Sequence, residues 1–257
     1  MDVRLDQKVT VVTGATKGIG LSIARVFGLE GSKIAICGRN EQSLHKALEK
    51  LKSEGVEAVG MAVDASDEAQ LGSFADFVER QFGGIDIWIN NAGIYPQAKI
   101  TEMSVGQWDE VFDVNVRSVF IGSRIAKEKL HKRGGGVLFN ASSFAAVMPS
   151  VTSGAYAATK SAIYSMTKTL ASELAPFNIR VIGYIPGVIE TDMTRPIIEK
   201  SGQGLYSQLA LHDIGRAEDV AYPLLFLASD YASYITGTFI EISGGKFCVQ
   251  NPLQAWS

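Results

Sequence analysis

Three tyrosine–lysine pairs in this sequence have the spacing that puts a phenol and an ammonium group on one face of a helix, because their members stand four residues apart. They are Tyr95 with Lys99, Tyr156 with Lys160, and Tyr164 with Lys168. A nearby ammonium stabilises the phenolate form of a tyrosine, so such a pair can exchange a proton with a substrate oxygen. Spacing alone does not select the working pair, and the elements that position each pair have to decide.

Composition and charge describe an ordinary soluble chain. Its 257 residues are 46% hydrophobic and 20% charged with a net charge of −3, which fits one large α/β domain and gives no support for nucleic-acid binding. Cys37 and Cys248 form no C-x-x-C or metal-ligand pattern, so we expect free thiols, no metal and a reducing compartment. Without an apolar leader or a run of about 20 apolar residues, we expect a cytoplasmic protein with no membrane partner.

Short β-branched runs alternate with longer amphipathic segments, a pattern typical of βαβ units and a parallel sheet. Strands are predicted at 8–13, 33–37, 57–63, 86–90, 136–141, 179–185 and 239–242. Helices are predicted at 18–30, 41–54, 67–82, 106–132, 155–175 and 217–228. No linker or repeat divides the chain, so residues 1–257 are predicted to form one domain, with a lid segment at 193–212 and a C-terminal tail at 247–257.

A glycine-rich loop, VVTGATKGIG at 11–20, follows the first predicted strand and opens the first helix. Gly14, Gly18 and Gly20 allow the backbone to turn sharply and to present N–H groups and a helix N-terminus to a pyrophosphate. The simpler interpretation is a plain strand–helix turn, but the position after the first strand favours dinucleotide binding.

The end of the second predicted strand is where such folds contact the adenosine ribose. NAD binders usually place an acid there, whereas an arginine nearby suits the 2′-phosphate of NADP. Here Gly38 takes the acid's place and Arg39 follows, with Lys17 as a second positive charge in the glycine loop. Both cations are alternatively solvated surface groups. The missing acid favours NADP, and NAD is the less favoured cofactor.

Seven motifs, in order and spacing, resemble those of the short-chain dehydrogenase/reductase family over about residues 7–246. They are TGATKGIG (13–20), VDAS (63–66), NNAG (90–93), NV (115–116), SS (142–143), YAATK (156–160) and PGVIETDM (186–193). The resemblance implies a Rossmann-like, doubly wound, parallel seven-stranded sheet in a single α/β domain. It also implies hydride transfer, with a catalytic serine thirteen positions before the tyrosine, which selects Ser143 with Tyr156.

The position of each pair in the expected sheet now separates the three. Ligands bind outside the carboxyl ends of parallel strands, where Ser143 ends the fifth strand and Tyr156 begins the next helix. Tyr164 lies about 12 Å further along that helix at 1.5 Å per residue, so packing is the better interpretation. Tyr95 precedes Pro96 in a loop and is predicted to line the substrate cleft.

The chemistry expected of this group is ketone reduction or its reverse. Lys160 is predicted to lower the pKa of Tyr156 by about 3 units, which makes the phenol a proton donor near neutral pH. Ser143 would hydrogen-bond the substrate oxygen and orient it. The resemblance implies that Lys160 also holds the nicotinamide ribose and that Asn115 anchors a water behind it. Taken singly, each residue has a simpler explanation: Ser143 as a turn residue, Asn115 as a side chain that binds helix backbone, and Lys160 as a solvated surface group.

Further cofactor contacts are implied by the resemblance alone. Asp64 would meet the adenine and Ile19 the diphosphate. The remaining contacts are assigned to Thr16, Asn90, Asn91, Ala92, Gly93, Tyr156, Pro186, Val188 and Thr191.

The substrate cleft is predicted to be mostly apolar, which suits a small or mixed apolar carbonyl compound and makes a carbonyl reductase the favoured interpretation. Besides Ser143, its predicted lining consists of Tyr95, Phe144, Val147, Met148 and Tyr206.

A 3-oxoacyl-[acyl-carrier-protein] reductase is the alternative, since a basic stretch on the fourth helix would attract an acidic carrier. That stretch consists of Arg124, Lys127, Lys129, Lys132 and Arg133. Phe177 stands where those reductases tend to carry a basic docking residue, and the tail runs beyond their usual end. A second alternative is a non-catalytic dinucleotide sensor, which would not need Ser143, Tyr156 and Lys160 together. The resemblance also implies a homotetramer that pairs helices 106–132 and 155–175.

Overall fold

Seven strands form one parallel sheet in a computed structural model, which describes residues 3–246, 248–249 and 251–256. The strands are β1 (Val9–Thr13), β2 (Lys33–Gly38), β3 (Ala58–Ala62), β4 (Ile87–Asn90), β5 (Gly136–Ala141), β6 (Ile179–Pro186) and β7 (Phe239–Ile242). Their spatial order is β3-β2-β1-β4-β5-β6-β7, and every pairing is parallel. The chain therefore winds outward in both directions from the gap between β1 and β4, the place where such sheets bind ligands.

Nine α-helices connect these strands within the described residues. They are α1 (Gly18–Leu29), α2 (Glu41–Ser53), α3 (Glu68–Phe82), α4 (Val105–Phe112), α5 (Ser118–Lys132), α6 (Gly154–Leu174), α7 (Arg195–Ser201), α8 (Gln203–Tyr206) and α9 (Ala217–Ala228). Local sequence determines where several helices begin: the side chains of Asn40, Asp67 and Ser104 each accept a backbone N–H of the first turn of α2, α3 and α4. The predicted strands and long helices match these bounds to within one residue at each end.

Helices cover both faces of the sheet, so two apolar cores form. One face packs α1, α2 and α9 through residues such as Phe27, Leu51 and Leu224. The other packs α3, α5 and α6 through residues such as Phe74 and Leu130. Strands buried on both faces explain the continuous apolar runs in the sequence, and the prediction of a doubly wound Rossmann-like sheet is confirmed.

The predicted helix 106–132 is not continuous. A π-helical turn at Asp113–Arg117 separates α4 from α5. Asn115 lies in this turn, is fully buried, and bonds the backbone of Ile94. Such single-turn π-segments are frequently found at functional sites.

The lid segment and the tail contact each other. The predicted lid at 193–212 contains the short helices α7 and α8. From the tail, the Trp256 indole N–H donates to the carbonyl of Ala210 at 3.1 Å. Residues 247, 250 and 257 of the predicted tail, and residues 1 and 2 of the predicted domain, lie outside the described residues. Across the described part of the chain, no helix combines the length and apolar character needed to cross a membrane.

Candidate active site

A cleft of about 550 Å³ opens at the carboxyl edge of the sheet. It is bordered by segments that follow β1, β2, β3, β4, β5 and β6. Of the cofactor residues predicted from sequence, fifteen line it: Gly14, Thr16, Lys17, Gly18, Ile19, Gly20, Arg39, Asp64, Asn91, Ala92, Gly93, Tyr156, Lys160, Pro186 and Thr191. Val188 is buried outside this lining and Asn90 is turned into the core, where it bonds Asn140. One elongated cleft thus brings nearly the whole predicted set together.

The glycine loop has the backbone conformation that its sequence predicts. Gly14 and Gly18 have φ of 63° and 58°, values that favour glycine. A Cβ on Gly14 would lie 2.7 Å from the Cα of Ala92, so the two loops approach too closely for a side chain. Helix α1 begins at Gly18 with no side-chain cap, which leaves its first N–H groups available to an anion such as a pyrophosphate.

Asn91 ties this loop to the end of β4. Its amide donates to the carbonyls of Thr13 and Gly14, both at 3.1 Å. The hydroxyl of Thr13 in turn accepts the backbone N–H groups of Asn91 and Ala92. These bonds satisfy buried carbonyls and fix the shape of the loop.

Position 38, at the end of β2, is a glycine that packs against Thr16 beside the cleft. A Cβ on Gly38 would lie 2.8 Å from the Cγ2 of Thr16. Arg39 is exposed, lines the cleft and has no ion pair within the part of the chain that the structure describes. Lys17 instead lies 3.9 Å from a carboxylate oxygen of Asp192. Sequence reasoning missed Asp192, because nothing in its local pattern shows that the segment after β6 reaches the glycine loop.

Ser143, Tyr156 and Lys160 line the same cleft. Ser143 follows β5 and accepts the N–H of Ala145 at 3.2 Å, which fixes its side chain at the start of a short 3-10 turn. Tyr156 lies in the first turn of α6. The Lys160 ammonium donates to the carbonyl of Ala141 at 2.8 Å and lies 5.5 Å from the centre of the Tyr156 ring.

Burial sets the protonation of these groups and corrects one prediction. It raises the pKa of Tyr156 to about 12, partly opposed by the hydrogen bond from Ser143 and reinforced by Tyr95. It also lowers the pKa of Lys160 to about 8. The predicted lowering of the Tyr156 pKa is therefore wrong: desolvation of the phenolate outweighs any stabilisation by the Lys160 ammonium, which donates to the carbonyl of Ala141.

Asn115 is held by protein groups on both sides of its amide. Its Oδ1 accepts the N–H of Ile94 at 2.8 Å, and its Nδ2 donates to the Ile94 carbonyl and to the Thr159 hydroxyl. Thr159 donates to the carbonyl of Tyr156 at 2.6 Å. Asn115 thus links the loop after β4 to the first turn of α6, and its role behind a relay water stays a prediction.

The substrate side of the cleft differs partly from expectation. Tyr95 lines the cleft, and its ring makes an edge contact with Tyr156 at 4.6 Å between centroids. Phe144 and Tyr206 do not line it, and neither do Val147 and Met148, whose side chains are exposed. Their contact with substrate stays a prediction. Ile94 and Ser142 also line the cleft but were not predicted as site residues, and Met193 and Thr194 line it from the predicted lid segment.

The other two tyrosine–lysine pairs lie outside this arrangement. Tyr164 stacks on Phe239 with centroids 4.1 Å apart, and the Lys168 ammonium lies over the Tyr164 ring at 4.7 Å. Lys99 pairs with Glu102 at 2.7 Å instead of meeting Tyr95. Nor do the described residues contain a group of three or more His, Cys, Asp or Glu side chains placed to hold a metal ion.

Comparison with known proteins gives a consistent result. The family model described as short chain dehydrogenase matches residues 8–202. A 3alpha-hydroxysteroid dehydrogenase of Mediterraneibacter gnavus is 35% identical over 246 residues, which are 95% of this chain and 98% of that protein. The 3-oxoacyl-[acyl-carrier-protein] reductase FabG of Aquifex aeolicus is 36% identical over 248 residues, which are 96% of this chain and 100% of that protein.

A solved structure shows the same fold. A 7 alpha-hydroxysteroid dehydrogenase in complex with NADH and 7-oxo glycochenodeoxycholic acid superimposes with a TM-score of 0.90 at 31% identity, covering 95% of this chain and 96% of that one. The chain therefore belongs to the short-chain dehydrogenase family and is an NAD(P)-dependent oxidoreductase acting on CH–OH and C=O groups.

Proposed function

We propose that the protein is an NADP-dependent carbonyl reductase that interconverts a ketone and a secondary alcohol on a small or mixed apolar substrate. The observation that carries this proposal is that Ser143, Tyr156 and Lys160 border the same cleft as the glycine loop. A sensor that only binds a dinucleotide has no need of that convergence.

The proposed mechanism assigns one task to each residue. The bound dinucleotide supplies the hydride in reduction and accepts it in oxidation. The Ser143 hydroxyl donates a hydrogen bond to the carbonyl oxygen and orients it. Tyr156 gives its proton to that oxygen, and the phenolate so formed takes a proton from solvent before the next turnover. The positive charge of Lys160 stabilises this phenolate while it exists, and its hydrogen bond to Ala141 fixes where that charge lies.

Near neutral pH the phenol of Tyr156 holds its proton, since burial raises its pKa to about 12. This protonation state suits a proton donor, and thus the reductive direction. Oxidation of an alcohol needs the phenolate and depends on added positive charge near the ring, which an oxidised nicotinamide carries.

Support for NADP comes from the residues at the end of β2. Gly38 offers no carboxylate to a ribose hydroxyl, and Arg39 is available to a 2′-phosphate. Lys17 is a weaker candidate for this contact because it pairs with Asp192. We expect Arg39→Ala to lower kcat/KM for NADPH by about tenfold while that for NADH changes less than about twofold, since one charge-assisted hydrogen bond is worth about 1.5–3 kcal/mol. Equal losses with the two cofactors would contradict the assignment to NADP.

Reduction of a carrier-bound 3-oxoacyl thioester is the alternative, because a FabG protein matches 96% of this chain at similar identity. The basic stretch that would dock the acidic carrier argues against it. Arg124, Lys129, Lys132 and Arg133 form ion pairs with Glu68, Asp76, Glu79 and Asp86, and Lys127 lies over the ring of Phe177. These cations are largely neutralised within the chain.

The test is an NADPH-oxidation screen with diketones, sugars, steroids and acyl thioesters. We expect turnover with free ketones. A strong preference for acyl thioesters over every free ketone would favour the alternative.

The proposed assembly is a homotetramer. In support, Val105 and Phe120 on α4 and α5 are 77% and 50% exposed, and burying such side chains between subunits is favourable. Light scattering coupled to size-exclusion chromatography tests it: a mass of four chains is expected, and a monomer would contradict it.

A further inference from the structure

Tyr184 is a buried phenol that the proposed mechanism does not use. It lies near the end of β6, is fully buried, and borders the cleft. Its hydroxyl lies 3.1 Å from the Oδ1 of Asn91. Sequence analysis assigned it no role.

The direction of this hydrogen bond is fixed by its surroundings. The Nδ2 of Asn91 donates to the carbonyls of Thr13 and Gly14, so its Oδ1 must be the acceptor and Tyr184 the donor. Burial also raises the pKa of Tyr184 well above the ordinary value of a tyrosine. The hydroxyl therefore keeps its proton and acts as a permanent donor rather than as an acid.

The bonds of Tyr184 and Asn91 join the ends of four strands, β6, β5, β4 and β1. The carbonyl of Tyr184 accepts the N–H of Ser142 at 2.9 Å, next to Ser143 at the end of β5. Its hydroxyl reaches Asn91 after β4, and Asn91 reaches the carbonyls of Thr13 and Gly14 after β1. Space for the Asn91 amide exists only because position 20 is glycine, where a Cβ would lie 2.5 Å from its Nδ2.

We propose that Tyr184 is a positioning residue that sets dinucleotide affinity by holding the Asn91 amide in the orientation that fixes the glycine loop. Without the hydroxyl, Oδ1 of Asn91 loses its partner and its Nδ2 no longer has a fixed direction toward the carbonyls of Thr13 and Gly14. The inference rests on dinucleotide binding in this cleft and does not depend on which carbonyl compound is reduced.

The first test is Tyr184→Phe, which removes one oxygen and keeps the ring that packs in the core. The probes are NADPH and NADH, titrated by fluorescence, and the tighter of the two is used throughout. We expect Kd to rise about tenfold, equivalent to about 1.4 kcal/mol, while kcat at saturating dinucleotide changes less than about twofold. Tyr164→Phe is the matched control, since Tyr164 stacks on Phe239 outside the cleft, and its Kd should equal that of the wild type.

A double-mutant cycle with Asn91→Ala separates positioning from a general loss of stability. If Tyr184 acts through Asn91, adding Tyr184→Phe to Asn91→Ala weakens binding by less than about twofold beyond Asn91→Ala alone. Thermal unfolding of each variant is recorded alongside, because a purely structural role lowers the unfolding temperature without changing Kd.

Three results would overturn the inference. They are an unchanged Kd in folded Tyr184→Phe, multiplicative effects in the double variant, and an unchanged Kd in Asn91→Ala. The last decides the matter if Tyr184→Phe does not fold. Since every arm measures binding, failure of the proposed reaction would show separately as absence of turnover in a protein that still binds dinucleotide.

Discussion

Helix α6 carries two tyrosine–lysine pairs of identical spacing, and in each pair the ammonium lies over the tyrosine ring, but the surroundings of the two pairs differ. Tyr156 and Lys160 lie at the carboxyl edge of the sheet, where Lys160 is 4% exposed and bonds the carbonyl of Ala141. Two turns further on, Tyr164 stacks on Phe239, and Lys168 lies over the Tyr164 ring with its side chain exposed to solvent. The position of a pair relative to the strand ends, and not its spacing of four residues, therefore decides whether it can take part in chemistry.

A third lysine, Lys129, shows that burial alone does not determine the direction of a lysine's pKa shift. Lys129 is also buried, yet its pKa is raised, because hydrogen bonds and charge from Asp76 and Glu79 outweigh the desolvation that opposes its ammonium form. Among the described residues, the Lys160 ammonium has one hydrogen-bond partner, the carbonyl of Ala141, and burial lowers its pKa to about 8. A buried lysine paired with carboxylates is a fixed structural cation, whereas one facing a carbonyl is left with a charge that titrates in the working range of an enzyme.

The largest contrast is expected between Tyr156→Phe and Tyr164→Phe. Loss of the donor hydroxyl should lower kcat by about 10³-fold or more, since general acid catalysis contributes about 10²–10⁴-fold, while dinucleotide Kd stays the same. Tyr164→Phe should keep kcat within about twofold, because its hydroxyl is outside the cleft. Steady-state rates and fluorescence titration measure both quantities. Full activity in Tyr156→Phe would contradict the assignment of Tyr156 as the proton donor.

The lysines of the two pairs should separate in the same way with a smaller effect. We expect Lys160→Met to lower kcat by about 10²-fold, because one ammonium about 4–6 Å from the phenolate is worth about 3–4 kcal/mol at an effective dielectric near 20. Lys168→Met removes an exposed charge over the Tyr164 ring and should change kcat less than about twofold. Equal losses in the two variants would mean that α6 is sensitive to any lysine removal.

The pH dependence of ketone reduction tests whether the charge of Lys160, and not that of Lys168, supports the reaction. With its pKa lowered from 10.5 to about 8, Lys160 is charged below pH 8 and neutral above it. We therefore expect kcat/KM to be level from pH 6 to 8 and to fall by up to about tenfold per pH unit above 8. The Lys168→Met variant should follow the wild-type profile. A profile that stays level to pH 10 would contradict the role given to the Lys160 charge.

The smallest effect concerns stability rather than rate. Lys129→Met leaves Asp76 and Glu79 without their shared cation and should lower the free energy of unfolding by about 1 kcal/mol, a low value because Asp76 is 58% exposed. The pKa values of both carboxyls are lowered, chiefly by their hydrogen bonds with Lys129. This stabilisation is thus present above their unfolded values near 4 and is lost as pH falls through the folded values. Denaturant unfolding of both proteins at pH 7 and pH 3 measures it, and a difference that is no smaller at pH 3 than at pH 7 would refute the assignment.

Much of this arrangement could be predicted from the sequence, because local patterns carry it. Hydrophobic periodicity located the seven strands, and glycine at positions 14, 18 and 20 marked the loop at the switch point of the sheet. The order of the motifs selected Ser143 and Tyr156 over their neighbours. The strand and loop signals are each contained in a short stretch of chain, and the motif order needs only the positions of such stretches along the sequence.

What could not be predicted depends on contacts between distant segments. Asn115, in the π-helical turn, bonds Ile94 and Thr159, which are 21 and 44 positions away in the sequence. The direction of the Tyr156 pKa shift depends on burial and on where the Lys160 ammonium points. Likewise, the link from Tyr184 to Asn91 joins residues 93 positions apart, and no local pattern in the sequence reveals it.

A crystal structure with bound dinucleotide tests the central claim most directly. The account predicts that the Tyr156 hydroxyl faces the nicotinamide ring, with a substrate oxygen within about 3 Å of it and of the Ser143 hydroxyl, while the Tyr164 hydroxyl stays outside the cleft. A Tyr156 hydroxyl that faces bulk solvent or the core, away from the reactive carbon of that ring, would contradict it.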